Sequence, residues 1–541
     1  MINKFILPAI FSFILFSVNA VDAQYAFQRL IGGSSQERGQ ALFQTLDGGY
    51  LYNGATLSYG SGSADGFFVK TNSQGLLEWA KAYGTVSFDN SEFAIQAHDG
   101  SLLGVGRTFY PSGLASDVLL FKTDSSGNLL WSKTYGGGSN EGVAYMIETG
   151  DHGYALVGAT QSTGAGSDDI LFIRTDENGD TLFTRTYGTV ESEVGIAIQE
   201  APDGSFVICG KQTIIAGGLP FADAVLMRTD ASGNLVWANL YGDTLWEELE
   251  SVRIAADGDL VSCGSITSFG AGKYDILCMR TDSLGNVDWA KTYGGAETDA
   301  SYGVLANADD TYTLSGYTNS LGYGHEVRGD DSTNIFLMKI NSLGDTLWTR
   351  TYGDGLQDEA YRNSAASDGG YLVSGFTTNY AFQDSAQMIL IKTDSLGFTG
   401  CHEYTSYPVV STAPLSARSV SFAQSAGLIP ATIALTELSV NTNDEDACLY
   451  TETYSEPHDR ALTLYPNPFY SRVTIVFPED DPVREVVLSD LQGRKVYHWR
   501  TESGNQTGRF EMNLGSLSPG IYLTEVLKSS GERTTLKLIR Q

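Results

Sequence analysis

Six histidines (98, 152, 325, 402, 458 and 498) and five cysteines (209, 263, 278, 401 and 448) are the residues of this 541-residue chain suited to metal or thiol chemistry. Zinc sites take such residues at short fixed spacings, as in Cys-x-x-Cys. No such spacing occurs here, and each histidine is expected to be a surface residue. The chain also lacks a Gly-x-Ser-x-Gly elbow, a His-Glu-x-x-His helix, a phosphate-binding glycine loop and an EF-hand loop. The expectation is therefore no catalytic residue, no cofactor and no metal. Adjacent cysteines of the kind associated with quinone-dependent dehydrogenases are absent too. The many acids offer material for a glycoside-cleaving carboxylate pair, but a sequence does not pair them in space. Four residues that break the chain's internal pattern are the ligand-contact candidates: Trp246, and Tyr323, His325 and Arg328 in the loop 322–332, which also contains Arg328-Gly329-Asp330. Aromatic and cationic side chains on loops stack on sugars and peptides, although packing within the loop is the plainer role for each.

Composition narrows the partners. Lys and Arg number 33 against 64 Asp and Glu, a net charge of −31. Phosphate recognition needs clustered cations, so nucleic acid is excluded as a partner and an anionic membrane surface is disfavoured. At the N-terminus Lys4 precedes an uncharged run, Phe5–Val18, followed by small residues at Ala20 and Ala23. The run is too short to span a bilayer and reads as a signal peptide over 1–23. No later stretch reads as a membrane span, so the mature chain is expected to be exported. Export permits disulfides, and Cys401 and Cys448 bracket one irregular segment as the natural pair.

The elements that must position these residues repeat. Trp-x-Lys/Arg-x-Tyr-Gly, or a variant of it, begins at Phe27, Trp79, Trp131, Phe183, Trp237, Trp289 and Trp348, at intervals of 52, 52, 52, 54, 52 and 59 residues. An Asp-Gly marker recurs at or near Asp47, Asp99, Asp151, Asp203, Asp257, Asp309 and Asp368. Lys/Arg-Thr recurs at Lys70, Lys122, Arg174, Arg228, Arg280 and Lys392, with Lys339-Ile340 as a variant. Around the third copy, Leu129–Tyr135, Gly142–Thr149, Tyr154–Thr160 and Asp169–Thr175 read as strands between turn signals. Four strands per fifty residues, seven times over, predict an all-β, seven-bladed β-propeller over 24–400, with a β-solenoid a distant second. The last Lys/Arg-Thr strand lacks a Trp-type partner, and Phe27–Gly32 lacks its own, so the two are expected to pair and close the ring. The repeated tryptophans then serve inter-blade packing, and the repeated aspartates serve turns. Cys209 and Cys263, at equivalent places, read as small buried residues.

Residues 401–460 break the period and read as a connector stapled by the Cys401–Cys448 pair. Beyond them, the segment 461–541 carries Tyr465-Pro466-Asn467-Pro468-Phe469, Leu488-Ser489-Asp490-Leu491-Gln492-Gly493-Arg494, Leu517-Ser518-Pro519-Gly520-Ile521-Tyr522 and the ending Leu536-Lys537-Leu538-Ile539-Arg540-Gln541. This order and spacing resemble the C-terminal sorting domain of the type IX secretion system. The resemblance implies a small Ig-like β-sandwich and the secretion machinery as its partner. It also implies passage through the periplasm to a secreted or outer-membrane-surface location. The preceding repeats resemble those of other secreted β-propeller proteins, which names a fold and no activity. The expected function is a non-catalytic binding or adhesion module for a glycan or protein partner on the cell surface. A secreted polysaccharide hydrolase or lyase and a structural envelope component are the alternatives.

Overall fold

A computed structural model describes residues 26–109, 114–216, 219–242, 245–322, 332–353, 356–378, 386–425, 428–440 and 442–447. In the C-terminal segment it describes 463–465, 472–476, 483–490, 494–500, 509–518, 520–529 and 533–540. The expected signal peptide, 1–23, lies outside the described residues. Two compact units divide at Tyr450 and Thr451.

The first unit is all-β and holds seven five-stranded antiparallel sheets. Within a sheet three strands run consecutively, and the second and third pack on both faces, so they read as continuous apolar runs: Asp65–Thr71 and Asp169–Thr175 are buried throughout. The fourth strand is the Trp-type strand, joined by a tight hairpin whose glycine, for example Gly127, has φ +76°. Each inner strand contacts the inner strand of the next sheet, and Glu37–Gln44 contacts Asp358–Ala365. The succession therefore closes on itself in a propeller-like ring. The closing sheet is made from both ends of the repeat array, with Phe27 opposite Lys392 and Ile31 opposite Met388.

The fifth strand of every sheet comes from the segment expected to be an irregular connector. Glu403–Thr405, Val409–Thr412, Arg418–Ser419, Ala423–Ser425, Ile429–Thr432, Thr436–Ser439 and Asn443–Asp446 each pair with one Trp-type strand. They run from the sixth sheet back round to the seventh. Over these residues the connector is a belt that satisfies the outer edge of every sheet, the edge on which an unpaired strand would recruit another chain. Between belt strands Ala413, Leu415, Phe422, Leu428 and Ile433 are buried, as is Ala447 just past the last one, each at most 9% exposed. Glu437 binds the Leu129 N–H at 2.7 Å and the Lys81 Nζ at 2.7 Å, tying the belt to two sheets at once.

The repeated residues join the sheets. Hydroxyls of Tyr83, Tyr135, Tyr187, Tyr241, Tyr293 and Tyr352 donate to the carbonyl of the hairpin glycine in the next sheet, at 2.5–2.6 Å. The Trp-position ring lies on that same glycine: a β-carbon at Gly127 would stand 2.8 Å from Trp79, and one at Gly397 2.8 Å from Trp348. At the closing boundary Phe27 covers Gly75 and Ile31 takes the tyrosine's place. The two other markers meet within each sheet as ion pairs. These are Lys70–Asp47 (3.0 Å), Lys122–Asp99 (3.0 Å), Arg174–Asp151, Arg228–Asp203 (3.0 Å), Arg280–Asp257, Lys339–Asp309 (2.9 Å) and Lys392–Asp368 (2.9 Å). For Asp99, burial pushes the carboxyl up, but hydrogen bonds from Ser101 and the Lys122 ammonium more than offset it and hold it at about 2.

The second unit, described by itself, has a three-stranded sheet (Thr463–Tyr465, Arg472–Val476, Arg509–Asn513) and a four-stranded one (Lys495–Arg500, Val483–Asp490, Gly520–Lys528, Arg533–Arg540). Val473, Ile475, Val486, Met512, Val526 and Leu538 from both sheets share one core.

Candidate functional site

The ring's inner strands face its axis, and there the repeat loses its regularity. In six of them the pairing slips by one residue: at Gly39/Ala41, Val143/Tyr145, Gly195/Ala197, Leu249/Ser251, Ser301/Gly303 and Ala360/Arg362. Such a bulge leaves one residue unpaired and re-aims it. The bulged residues are Gln40, Ala144, Ile196, Glu250, Tyr302 and Tyr361. Three consecutive sheets thus contribute Glu250, Tyr302 and Tyr361, each half-buried.

An aromatic and acidic cluster forms around these three. Tyr302 lies 5.6 Å from Tyr361 and 5.9 Å from Tyr317 between ring centroids, and Tyr361 stacks on Phe376 at 6.0 Å. Arg38 caps Phe376 at 5.8 Å. Burial, then repulsion from Glu248, pushes Glu250 up to about 7 against the pull of Arg362 and Lys211. Burial also raises Glu359, partly opposed by Arg38. Tyr317 is pushed up to about 12 by burial and by Glu359 and Glu248. The Arg362 guanidinium donates to the backbone carbonyls of Glu250, at 3.2 Å, and Tyr302. It also lies 5.5 Å from the Tyr145 ring. Arg253 donates to the Tyr145 hydroxyl at 3.0 Å, and Phe93 packs on that ring at 4.0 Å. Arg253, Arg362 and Tyr145 also line a cavity of about 450 Å³, with Phe93 and His98 among its other walls. Carboxylates beside aromatic faces suit a ligand with cationic or hydroxyl groups.

Of the residues singled out in the sequence, Trp246 joins this arrangement. It is half-buried, with the Lys211 Nζ 4.9 Å from its ring centre and that ammonium paired to Glu248 at 2.7 Å. Tyr323, His325 and Arg328 lie outside the described residues, as do Pro466, Asn467, Pro468, Gly493 and Cys448. Tyr465 ends the strand Thr463–Tyr465. Asp490 pairs with Tyr522 across two strands, and the buried Tyr522 hydroxyl donates to the Ser518 carbonyl at 2.6 Å. Gly520 begins the strand Gly520–Lys528. Cys209, Cys263 and Cys278 are buried free thiols.

Two groupings escaped sequence reasoning. Glu250, Tyr302 and Tyr361 share one repeat position, three residues past the acid that opens each inner strand, and only the bulge makes that position face the axis. His98 and His152 lie 54 residues apart, close to the repeat length, and meet across a sheet boundary with Glu148. The sequence reading, which found no ligand spacing among the histidines, did not foresee that these two lie side by side. The available signal was that His152 stands where five of the seven copies carry glycine.

The two units thus define an all-β repeat ring joined to a small double-sheet domain. Residues 463–541 match the secretion system C-terminal sorting domain family. That domain marks the chain as a cargo exported by the type IX secretion system. No curated protein sequence matches the chain. Among solved structures, it is similar to PorZ, a bacterial surface component of the type IX secretion system of Porphyromonas gingivalis. The identity is 12%, over 92% of this chain and 69% of that one, with a TM-score of 0.34.

Proposed function

We propose that the chain is a seven-bladed β-propeller, carried out of the cell by an Ig-like sorting domain, that binds a glycan or peptide at its axial opening without chemical turnover. The supporting observation is the convergence of Tyr302, Tyr317 and Tyr361 with Glu248, Glu250 and Glu359 from three neighbouring sheets at the axis. This reading takes 1–23 as a removed signal peptide, 24–400 as the propeller, 401–460 as its belt and linker, and 461–541 as the domain that engages the secretion machinery. The belt end is stapled by Cys401–Cys448. In support of that pairing, Cys209, Cys263 and Cys278 are buried free thiols within the sheets. The final location in this reading is the outer-membrane surface or the medium.

A second reading, a polysaccharide hydrolase or lyase, draws support from Glu250, a carboxyl half-protonated near neutrality beside other acids. One experiment separates the two. The protein is screened on a glycan and peptide array, and the polymer that binds is incubated with it and analysed for cleavage. Binding that Tyr302→Ala abolishes, with no cleavage, is the expected result. Cleavage lost in Glu250→Gln would install the enzyme reading, and binding unchanged in Tyr302→Ala would remove the axial site from both.

A further inference from the structure

Four sheet boundaries share one latch. The residue ending an inner strand accepts a hydrogen bond from the turn of the preceding sheet: Gln44 from Ser367 N–H (2.7 Å), Gln96 from Leu46 (2.8 Å), Glu148 from His98 (2.9 Å) and Glu200 from Gly150 (2.8 Å). At one of these boundaries the latch also gathers two imidazoles. Glu148 Oε2 holds the His98 N–H, while Glu148 Oε1 lies 2.5 Å from His98 Nδ1 and 3.8 Å from His152 Nδ1. The two rings stack with centroids 3.7 Å apart. One ligand atom from each of the three residues falls within 4.8 Å of the others.

We propose that His98, Glu148 and His152 bind a divalent transition-metal ion, of which zinc is the type. Two neutral imidazoles and a carboxylate are a ligand set for zinc rather than for calcium or magnesium, which prefer all-oxygen shells. Three protein ligands leave a coordination position for water or a ligand group. The backbone adds an independent argument. His152 has φ +67°, at the turn position filled by Gly48, Gly100, Gly204, Gly258 and Gly369 in other copies. The remaining copy carries Asp310 there, at φ +61°, and this conformation costs any residue with a β-carbon. The carboxylate is already oriented by its bond to the His98 N–H, as in metal sites whose ligands are fixed by outer hydrogen bonds. His98 and Glu148 also line the cavity of about 450 Å³ described above.

The test uses tag-free full-length protein, zinc chloride in calorimetry, and cobalt(II) as an optical reporter. The expected result is one zinc per chain and a cobalt spectrum of low-coordinate character. His152→Gly, which restores the repeat's own glycine, is expected to weaken zinc binding about 100-fold while leaving the metal-free melting temperature unchanged or higher. His98→Ala is expected to weaken it similarly. Absence of zinc binding by the parent, or equal binding by the parent and His152→Gly, would overturn the proposal.

Discussion

Every sheet boundary sets a pair of side chains near the glycine that ends the Trp-type motif, and in most of them both are acids. Asp65 faces Asp89 in this way, at 1% and 0% exposure. Asp275 and Asp299 flank Gly294 so closely that a β-carbon there would lie 2.5 Å from one and 2.6 Å from the other. Two buried carboxylates cannot both stay charged at low cost. Burial, then the Asp89 charge, pushes Asp65 up from 3.8 to about 6. Its Oδ2 takes the Gly62 N–H at 3.0 Å, while Oδ1 of Asp65 and Oδ1 of Asp89 have no hydrogen-bond partner, an arrangement that a shared proton completes. The folded state therefore holds a proton more tightly than the unfolded chain. The stability this supplies is complete below about pH 4 and lost as pH rises through 6, at most about 3 kcal/mol from a shift of roughly two units. Asp65→Asn should remove that penalty. The expected outcome is a melting temperature raised at pH 8 and little changed at pH 4, measured by calorimetry on the full chain. The repeat already contains the substitution, since Asn334 faces Asp358 beside Gly353. A variant destabilised equally at both pH values would refute the shared-proton argument.

Two further outcomes follow from the boundary contacts and the belt. Tyr135→Phe deletes the hydroxyl that donates to the buried Gly179 carbonyl and should cost about 1–2 kcal/mol in urea unfolding; a change within a few tenths would mean that the Trp131 contact alone holds the boundary. Deleting residues 402–447 strips the fifth strand from all seven sheets and should give a chain that associates through bare strand edges, seen as higher-order species in light scattering. A monodisperse monomer with the parent's melting temperature would show that the belt is dispensable.

The ring was legible because its determinants are local and recur: Trp on a hairpin glycine, Tyr on that glycine's carbonyl, Asp against Lys or Arg. Each recurs every fifty-odd residues, and the unpaired Phe27–Gly32 pointed to its own partner. The belt was not legible, because its strands are two to four residues long and pair through backbone, so their side chains carry no alternating pattern. The axial residues were hidden for another reason. A one-residue bulge decides which side chain faces the axis, and nothing in Glu250 or Tyr302 taken alone announces it. His98 and His152 occupy different positions of the repeat, so aligning the copies does not bring them together.

A sevenfold ring of equivalent sheets presents seven equivalent copies of any consensus residue to its axis, which suits packing but cannot recognise an unsymmetrical ligand. Recognition must come from positions where the copies differ. The residues three past the inner-strand acid are Gln40, Glu92, Ala144, Ile196, Glu250, Tyr302 and Tyr361, whereas the acid itself is Glu or Asp in every copy. Chemistry-bearing side chains thus crowd one arc, from the fifth sheet to the seventh, while the third and fourth offer Ala144 and Ile196. The net charge of −31 does not create this asymmetry. Much of it is spent in ion pairs, turns and buried boundary carboxyls that every sheet repeats. The chemical asymmetry of the axis is instead set by a few substitutions against a fixed frame. Exchanging them between sheets should move the aromatic and acidic arc round the ring without altering its assembly.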